Sequence, residues 1–395
     1  LFFICFEKVG AMKNRLRFLF KTIIPIVIIT VIIILLLPVQ GIVDYFKFTF
    51  FYKNDLVISL SSINKQAGVL TADPSNKMFL RVEVRNSNGS NVSNIPVNFS
   101  TDKNLGEIYP SSLRTDKYGE AVVAYIPTSS SGYNINNSQV KVNITARIYS
   151  TPASASMSVS LIKPPVVLIH GYQEHSDIFA DMKLYLSSRG FDCIAFDYKS
   201  EDGVIAASRE LSSFLENQRA QYLLKGIQVN KFDIIAHSMG GLVARHYTGQ
   251  EEYLKNNDVN KIIFVSVPHR GSYWAEIGKN YFDDQGVRDL MPESTLLTSL
   301  LPGMSNKGLN KSIQVGSILG QYDEVVASES ASLDEWNIKT EVFNVGKNNL
   351  TMGNILDGSI LEASNHKNVL FNKKVFEKIE EMLNTDLPYP ATKSD

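Results

Sequence analysis

The sequence predicts a multidomain protein: an N-terminal transmembrane helix, an all-β sandwich, then a doubly wound, mostly parallel α/β domain. Three observations predict it. Residues 22–43 form an apolar run without a charge. Residues 56–162 are rich in Val, Ser, Asn and Thr and alternate apolar with polar. From 163 to 395, continuous apolar segments alternate with stretches of helical periodicity. A length of 395 residues fits two or three domains. Apolar content of 44% and charged content of 20% are ordinary for a folded chain, and a net charge of -1 gives no electrostatic footprint for nucleic acid. The two cysteines, Cys5 and Cys193, cannot build a disulfide framework, and no Cys/His spacing suggests a zinc site.

The first element is "TIIPIVIITVIIILLLPVQGIV", 22–43. As a helix rising about 1.5 Å per residue, it is long enough to cross a hydrocarbon core of about 30 Å. Lys13, Arg15, Arg17 and Lys21 precede it, which keeps residues 1–21 on the cytoplasmic side. "MKNRLRFLFK" from Met12 reads as a natural start. The competing reading is a cleaved signal peptide, for which "VQG" offers a cleavage site. Either way the remainder is expected outside the cell membrane. Cys193 as the one downstream cysteine is compatible with a bacterial origin.

The second element contains "MFLRVEVRN", "IPVNFST", "EAVVAYIP" and "VKVNITARI", each with strand alternation, separated by turn signals such as "SNGS" and "DKYGE". Six to eight short strands in about a hundred residues predict a sandwich. "VEVRNSNGSNVSNIPVNFST", "GEIYPSS" and "TDKYGEAVVAYIP" resemble the bacterial Ig-like domains of invasin- and intimin-type surface proteins. In that pattern Asp116 and Gly119 shape a hairpin turn and Ala121 begins the next inward-facing strand. The resemblance implies a stalk or a module for a cell-wall or surface ligand, not a catalyst.

"LIKPP", 161–165, marks the boundary, because paired prolines end a strand. "VVLIH" and "FDCIAFDY" then read as strands buried on both faces. Between them lies a helical stretch at 176–188, and "VIAASRELSSFLENQRAQYLL" has apolar residues three and four apart. "FDIIAHSMGG", a helix and "KIIFVSVPH" complete an alternation that indicates a parallel sheet. At "AHSMGG", 236–241, a buried strand stops and becomes a helix. Ser238 there is either a helix N-cap or the nucleophile of a sharp elbow. An elbow crowds the positions two before and two after the Ser, and these are Ala236 and Gly240. Ala stands in place of the first Gly of the usual G-x-S-x-G.

"HGYQEH", "AHSMGG", "VPHRGS" and "LMPESTLLTSL", in this order, resemble the bacterial lipase/esterase class of the α/β-hydrolase fold. The resemblance implies an oxyanion hole of backbone N–H groups from Tyr172 and Met239. It implies a triad in the order Ser, acid, His. His170, His175 and His237 precede Ser238, His246 lies in the helix after it, and His269 precedes any acid strand. His366, in a loop before the amphipathic "NKKVFEKIEEML", is the base that remains. Asp323 follows the strand "SIQVGSILGQYD" and leaves room for one more strand, "TEVFNVG", before His366. Asp357, in "ILDGSILEAS", is its rival. Residues 273–310, with Trp274, Tyr281 and Phe282, form either a lid beside Ser238 or a helical cap packed on the sheet.

The implied protein is a membrane-anchored serine hydrolase acting on an ester or lipid through Ser238, His366 and Asp323, with no metal or cofactor. An acyltransferase or thioesterase would share the fold. A surface adhesion protein with a secondary or inactive hydrolase domain is the reading from another class.

Overall fold

The structure, a computed structural model, describes residues 55–63, 68–132, 139–346 and 365–392. The expected anchor at 22–43 and the basic segment at 1–21 lie outside the described residues, as does Asp357. Among the described residues no helix is long and apolar enough to cross a membrane.

The sandwich has nine strands: β1 Leu56–Ser62, β2 Val69–Thr71, β3 Met78–Asn86, β4 Pro96–Thr101, β5 Gly106–Tyr109, β6 Ser112–Arg114, β7 Glu120–Pro127, β8 Val140–Ile148 and β9 Ser154–Ile162. The excess over the expected six to eight comes from β2, β5 and β6, too short for alternation to betray them. One sheet runs β1-β3-β7-β5, the other β2-β9-β8-β4-β6. Alternation fills the space between them: Met78, Leu80, Val82 and Val84 of β3 and Val142, Ile144, Ala146 and Ile148 of β8 are buried. Tyr125 joins this core and donates its hydroxyl to the Leu105 carbonyl at 3.0 Å. The Asp116–Gly119 turn forms as expected. Gly119 has φ 73°, and Asp116 Oδ1 accepts from Tyr118 N and Glu120 N. It is not a hairpin turn, however, because β6 and β7 belong to opposite sheets. Ala121 faces inward as expected.

The α/β domain has a six-stranded parallel sheet built from β10 Val166–Ile169, β11 Cys193–Phe196, β13 Phe232–His237, β14 Val259–Val265, β15 Gln314–Gly320 and β16 Thr340–Phe343. The apolar runs of these strands serve two cores. Val167 and Ile169 pack with the helices α2 (Val204–Leu224) and α3 (Met239–Gly249) on one face. Val166 and Leu168 pack with α1 (Ala180–Ser188) and α4 (Lys373–Asn384) on the other. The helices obey their spacing. Val204, Ala207, Leu211 and Leu215 of α2 are buried, as are Val375, Phe376, Ile379, Met382 and Leu383 of α4. Asn372 caps α4 by accepting from Lys374 N at 2.9 Å.

The strand order is β11-β10-β13-β14-β15-β16. The chain leaves β10 for β11 on one side and returns to β13 on the other. The carboxyl ends of β10 and β13 therefore flank a topological switch point, where open α/β sheets hold their ligands. The two domains share backbone pairing as well. A two-residue strand, β12 Ile227–Gln228, adds to the sandwich beside β2.

Candidate active site

Ser238 follows β13 with φ 51° and ψ -126°, and α3 starts at the next residue. Non-glycine residues rarely adopt this conformation, so the surrounding structure must impose it. Gly240 shows how closely the turn is packed. A Cβ there would lie 2.5 Å from the His170 carbonyl oxygen and 2.6 Å from that of Ile169. The helix can cross the end of β10 only because residue 240 has no side chain. Ser238 makes no side-chain bond to the helix it precedes. The plain N-cap reading therefore fails, and the turn is an elbow.

His366 lies in a short helix, Asn365–Asn368, at the same end of the sheet. Its Nδ1 is 2.8 Å from Asp323 Oδ2. Its ring centroid is 4.6 Å from that of His237, the neighbour of Ser238. Asp323 sits three residues beyond β15, in the turn rather than the strand. Its Oδ1 accepts from Val325 N at 3.0 Å and Val326 N at 2.8 Å, and Ser266 adds a side-chain bond. Burial pushes its carboxyl up, but His366 and these donors outweigh burial and hold it below the ordinary carboxylate value. Burial pulls His366 down, yet Asp323, then Glu174 and Glu324, raise it above the ordinary imidazole value. Both shifts express one fact: a charged imidazole is favoured here.

Tyr172, in the loop after β10, and Met239, the first residue of α3, flank Ser238. Met239 opens α3, where the first backbone N–H groups lack acceptors within the helix. The loop after β10 approaches closely, for a Cβ on Gly171 would lie 2.9 Å from Ser238 Cβ. On either side of Tyr172 the backbone is fixed: Gly171 N donates to Glu174 Oε2 at 2.8 Å, and Gln173 N to Ser200 Oγ at 2.9 Å. The Tyr172 hydroxyl donates to Asp284 Oδ2 at 2.5 Å. Burial, then Asp284, push that phenol far up.

Four histidines remain, His170, His175, His246 and His269. His170 Nδ1 donates to the Gly171 carbonyl at 2.8 Å, its Nε2 accepts from Tyr198 N at 3.3 Å, and its ring stacks on Tyr198. It shapes the loop after β10. Burial lowers His246 to about 4, and its Nδ1 meets Ser208 Oγ at 2.7 Å. His269 is buried, and burial with Arg245 and Arg270 drives it well below its ordinary value. His175 is exposed.

Residues 273–310 divide into two parts. Val287, Leu290, Leu296 and Leu301 pack into the core, as a cap would. Tyr273, Ile277, Tyr281 and Phe282 are exposed. Asp284, at the junction, caps the helix Gln285–Asp289 and takes the Tyr172 hydroxyl.

Sequence reasoning missed Glu174 and Ser266. Glu174 stands inside "HGYQEH", and its signal was an acid three residues after a loop glycine. Ser266, at φ 49°, supports Asp323 and gave no signal. Among the described residues no group of His, Cys, Asp and Glu could hold a metal ion.

Residues 164–354 match the family profile described as the alpha/beta hydrolase fold. The C-terminal domain has that fold. Solved structures similar to the chain include the lipase BlEst2 of Bacillus licheniformis in propeptide form, at 16% identity over 58% of this chain and 52% of that one, TM-score 0.44. Phospholipase PlaB of Legionella pneumophila in complex with thio-NAD is 19% identical over 41% and 39%, TM-score 0.34. The D00-D0 domain of intimin is 16% identical over 28% and 50%, TM-score 0.23. The chain thus spans about half the length of the intimin and BlEst2 chains. No curated protein matches it.

Proposed function

We propose that the α/β-hydrolase domain is a serine hydrolase that cleaves carboxylic esters of the lipase/esterase kind, with Ser238 as nucleophile, His366 as base and Asp323 as its orienting acid. One observation carries the reading. A serine held at positive φ, its hydroxyl unused by the helix, adjoins His237, whose ring centroid lies 4.6 Å from that of His366, and His366 is bonded to a buried carboxylate.

Each residue has a chemical task. His366 Nε2 takes the Ser238 proton as Oγ bonds to the ester carbonyl carbon. Charge moves to the carbonyl oxygen, where the N–H groups of Met239 and Tyr172 receive it. The intermediate collapses, the C–O bond to the alcohol breaks, and His366 returns the proton to the leaving oxygen. Water, deprotonated by His366, then attacks the acyl carbon; the bond to Ser238 Oγ breaks, His366 returns the proton to Oγ, and the acid is freed. Asp323 keeps the proton on Nδ1 and stabilises the imidazolium formed in both steps.

In this reading the chain is exported and held by 22–43, the sandwich is a stalk that carries the enzyme from the membrane, and the substrate is an ester or lipid. A fluorophosphonate probe tests the chemistry: full-length protein should gain one adduct, on the peptide carrying Ser238. An adduct on another residue, or none, would refute the assignment. Carbonate washing of membranes tests the anchor, and release of the protein into the wash would contradict it.

A further inference from the structure

Glu174 is buried, yet no step above uses it. Its Oε2 accepts from Gly171 N at 2.8 Å and from His237 Nδ1 at 2.9 Å. Its Oε1 lies 3.9 Å from Lys367 Nζ. His237 in turn brings Nε2 to 3.3 Å from the carbonyl oxygen of His366. One carboxylate therefore touches the loop that carries Tyr172, the residue before Ser238 and the residue after His366. Packing makes these links stiff, since a Cβ on Gly171 would stand 2.7 Å from Glu174 Oε2 and 2.9 Å from Ser238 Cβ. A carboxylate is costly to bury and is retained where its partners repay the desolvation. Here those partners belong to three separate segments of the site.

We propose that Glu174, acting through His237, is a positioning residue that holds the oxyanion loop and the His366 loop in register around Ser238. The inference rests on the triad reading above. Glu174 remains charged: burial raises its carboxyl, but His237, with His366 and Lys367, brings it down to about 2. Charged and titratable groups reach His366 from several elements. Asp323 and Glu324 come from the turn after β15, Glu174 from the loop after β10, His237 from the end of β13 and Lys367 from its own helix. Glu174 is thus the second carboxylate that favours the imidazolium.

Glu174→Gln in the full chain tests this. The amide oxygen can still take both donors that Oε2 takes, but an NH2 group replaces the oxygen facing Lys367, which is repelled, and the charge is gone. We expect kcat/KM to fall about 10²-fold, mostly in kcat, because misplacing reacting groups by about an ångström has that effect. We also expect the acid limb of the kcat/KM profile to move to lower pH, since a negative charge facing His366 is gone. A purely structural role would leave that limb in place. A kcat/KM within twofold of wild type and an unmoved limb would overturn the proposal. Should Glu174→Gln not fold, His237→Asn against His237→Ala decides. Asn keeps an N–H where Nδ1 stood and should retain more kcat/KM, and equal loss in both would count against the positioning role. Ser238→Ala, assayed in parallel, separates the two readings. Turnover that survives it defeats the triad, whereas turnover lost there and unaffected by Glu174→Gln defeats this inference alone.

Discussion

Asp323 uses both carboxylate oxygens, one for loop N–H groups and one for His366 Nδ1. That arrangement fixes the imidazole tautomer, so Asp323→Asn should lower kcat by up to about 10⁴ with little change in folding. Its pH signature has a definite sign. His366 is raised above its ordinary value, so kcat/KM should increase with pH through an apparent pKa above about 6.5. In Asp323→Asn that limb should move down. Stability follows the same linkage. The raised His366 contributes below its unfolded value and loses that contribution as pH rises through its folded one. The lowered Asp323 contributes above its unfolded value and loses it as pH falls. Thermal melts of the wild type and Asp323→Asn across pH check both signs. The places of Ser238 and Asp323 just past strand ends, and of His366 ahead of the helix Lys373–Asn384, were legible in the sequence. Glu174 was not, because its role exists only once the loop after β10 folds back under His237. Asp357 lies outside the described residues, and Asp323 is preferred for its 2.8 Å contact with His366 Nδ1.

At the scale of elements, the elbow depends on a backbone crossing. Gly240→Ala would place a methyl 2.5 Å from one carbonyl oxygen and 2.6 Å from another, and backbone atoms cannot step aside. We expect a loss of at least about 1–3 kcal/mol, read as a lower Tm, together with lost activity as Ser238 shifts. Gly303→Ala is the control, since nothing lies within 4 Å of its added Cβ, and it should stay within about 0.5 kcal/mol of wild type. Equal Tm for the two variants would refute the crossing as the reason for Gly240. Elements of this kind were legible wherever periodicity ran long enough. The helix Val204–Leu224 and the strands Met78–Asn86, Glu120–Pro127 and Val140–Ile148 have the predicted bounds. Pairing partners were not legible, because nothing local tells β6 from β7 as members of opposite sheets.

At the scale of the molecule, the sandwich and the hydrolase are joined by more than a linker. Gly68 N and Val69 N both donate to the Gly226 carbonyl. Buried Asn76 donates to the Gln228 carbonyl at 2.8 Å and accepts from Gln228 Nε2 at 2.7 Å. Asn230 donates to the Ser75 carbonyl at 2.8 Å. The composition shift at "LIKPP" announced the boundary, but β12 is two residues long and gave no signal that the domains share a sheet. Asn76→Ala strips partners from the Gln228 side chain and carbonyl at once. It should destabilise by about 1–3 kcal/mol and separate the melting of the sandwich from that of the α/β domain in a calorimetric scan. An unchanged thermogram would mean that the shared strand carries little coupling.

The most direct measurement is ester turnover and Tm together for Ser238→Ala in the full-length protein, with p-nitrophenyl esters of increasing chain length as substrates. Removing one hydroxyl that makes no bond to the helix it precedes should leave Tm close to wild type. Removing the nucleophile of a cooperating triad should lower kcat by several powers of ten. That combination is what the account predicts. Activity within tenfold of wild type, at unchanged Tm, would show that Ser238 is not the nucleophile.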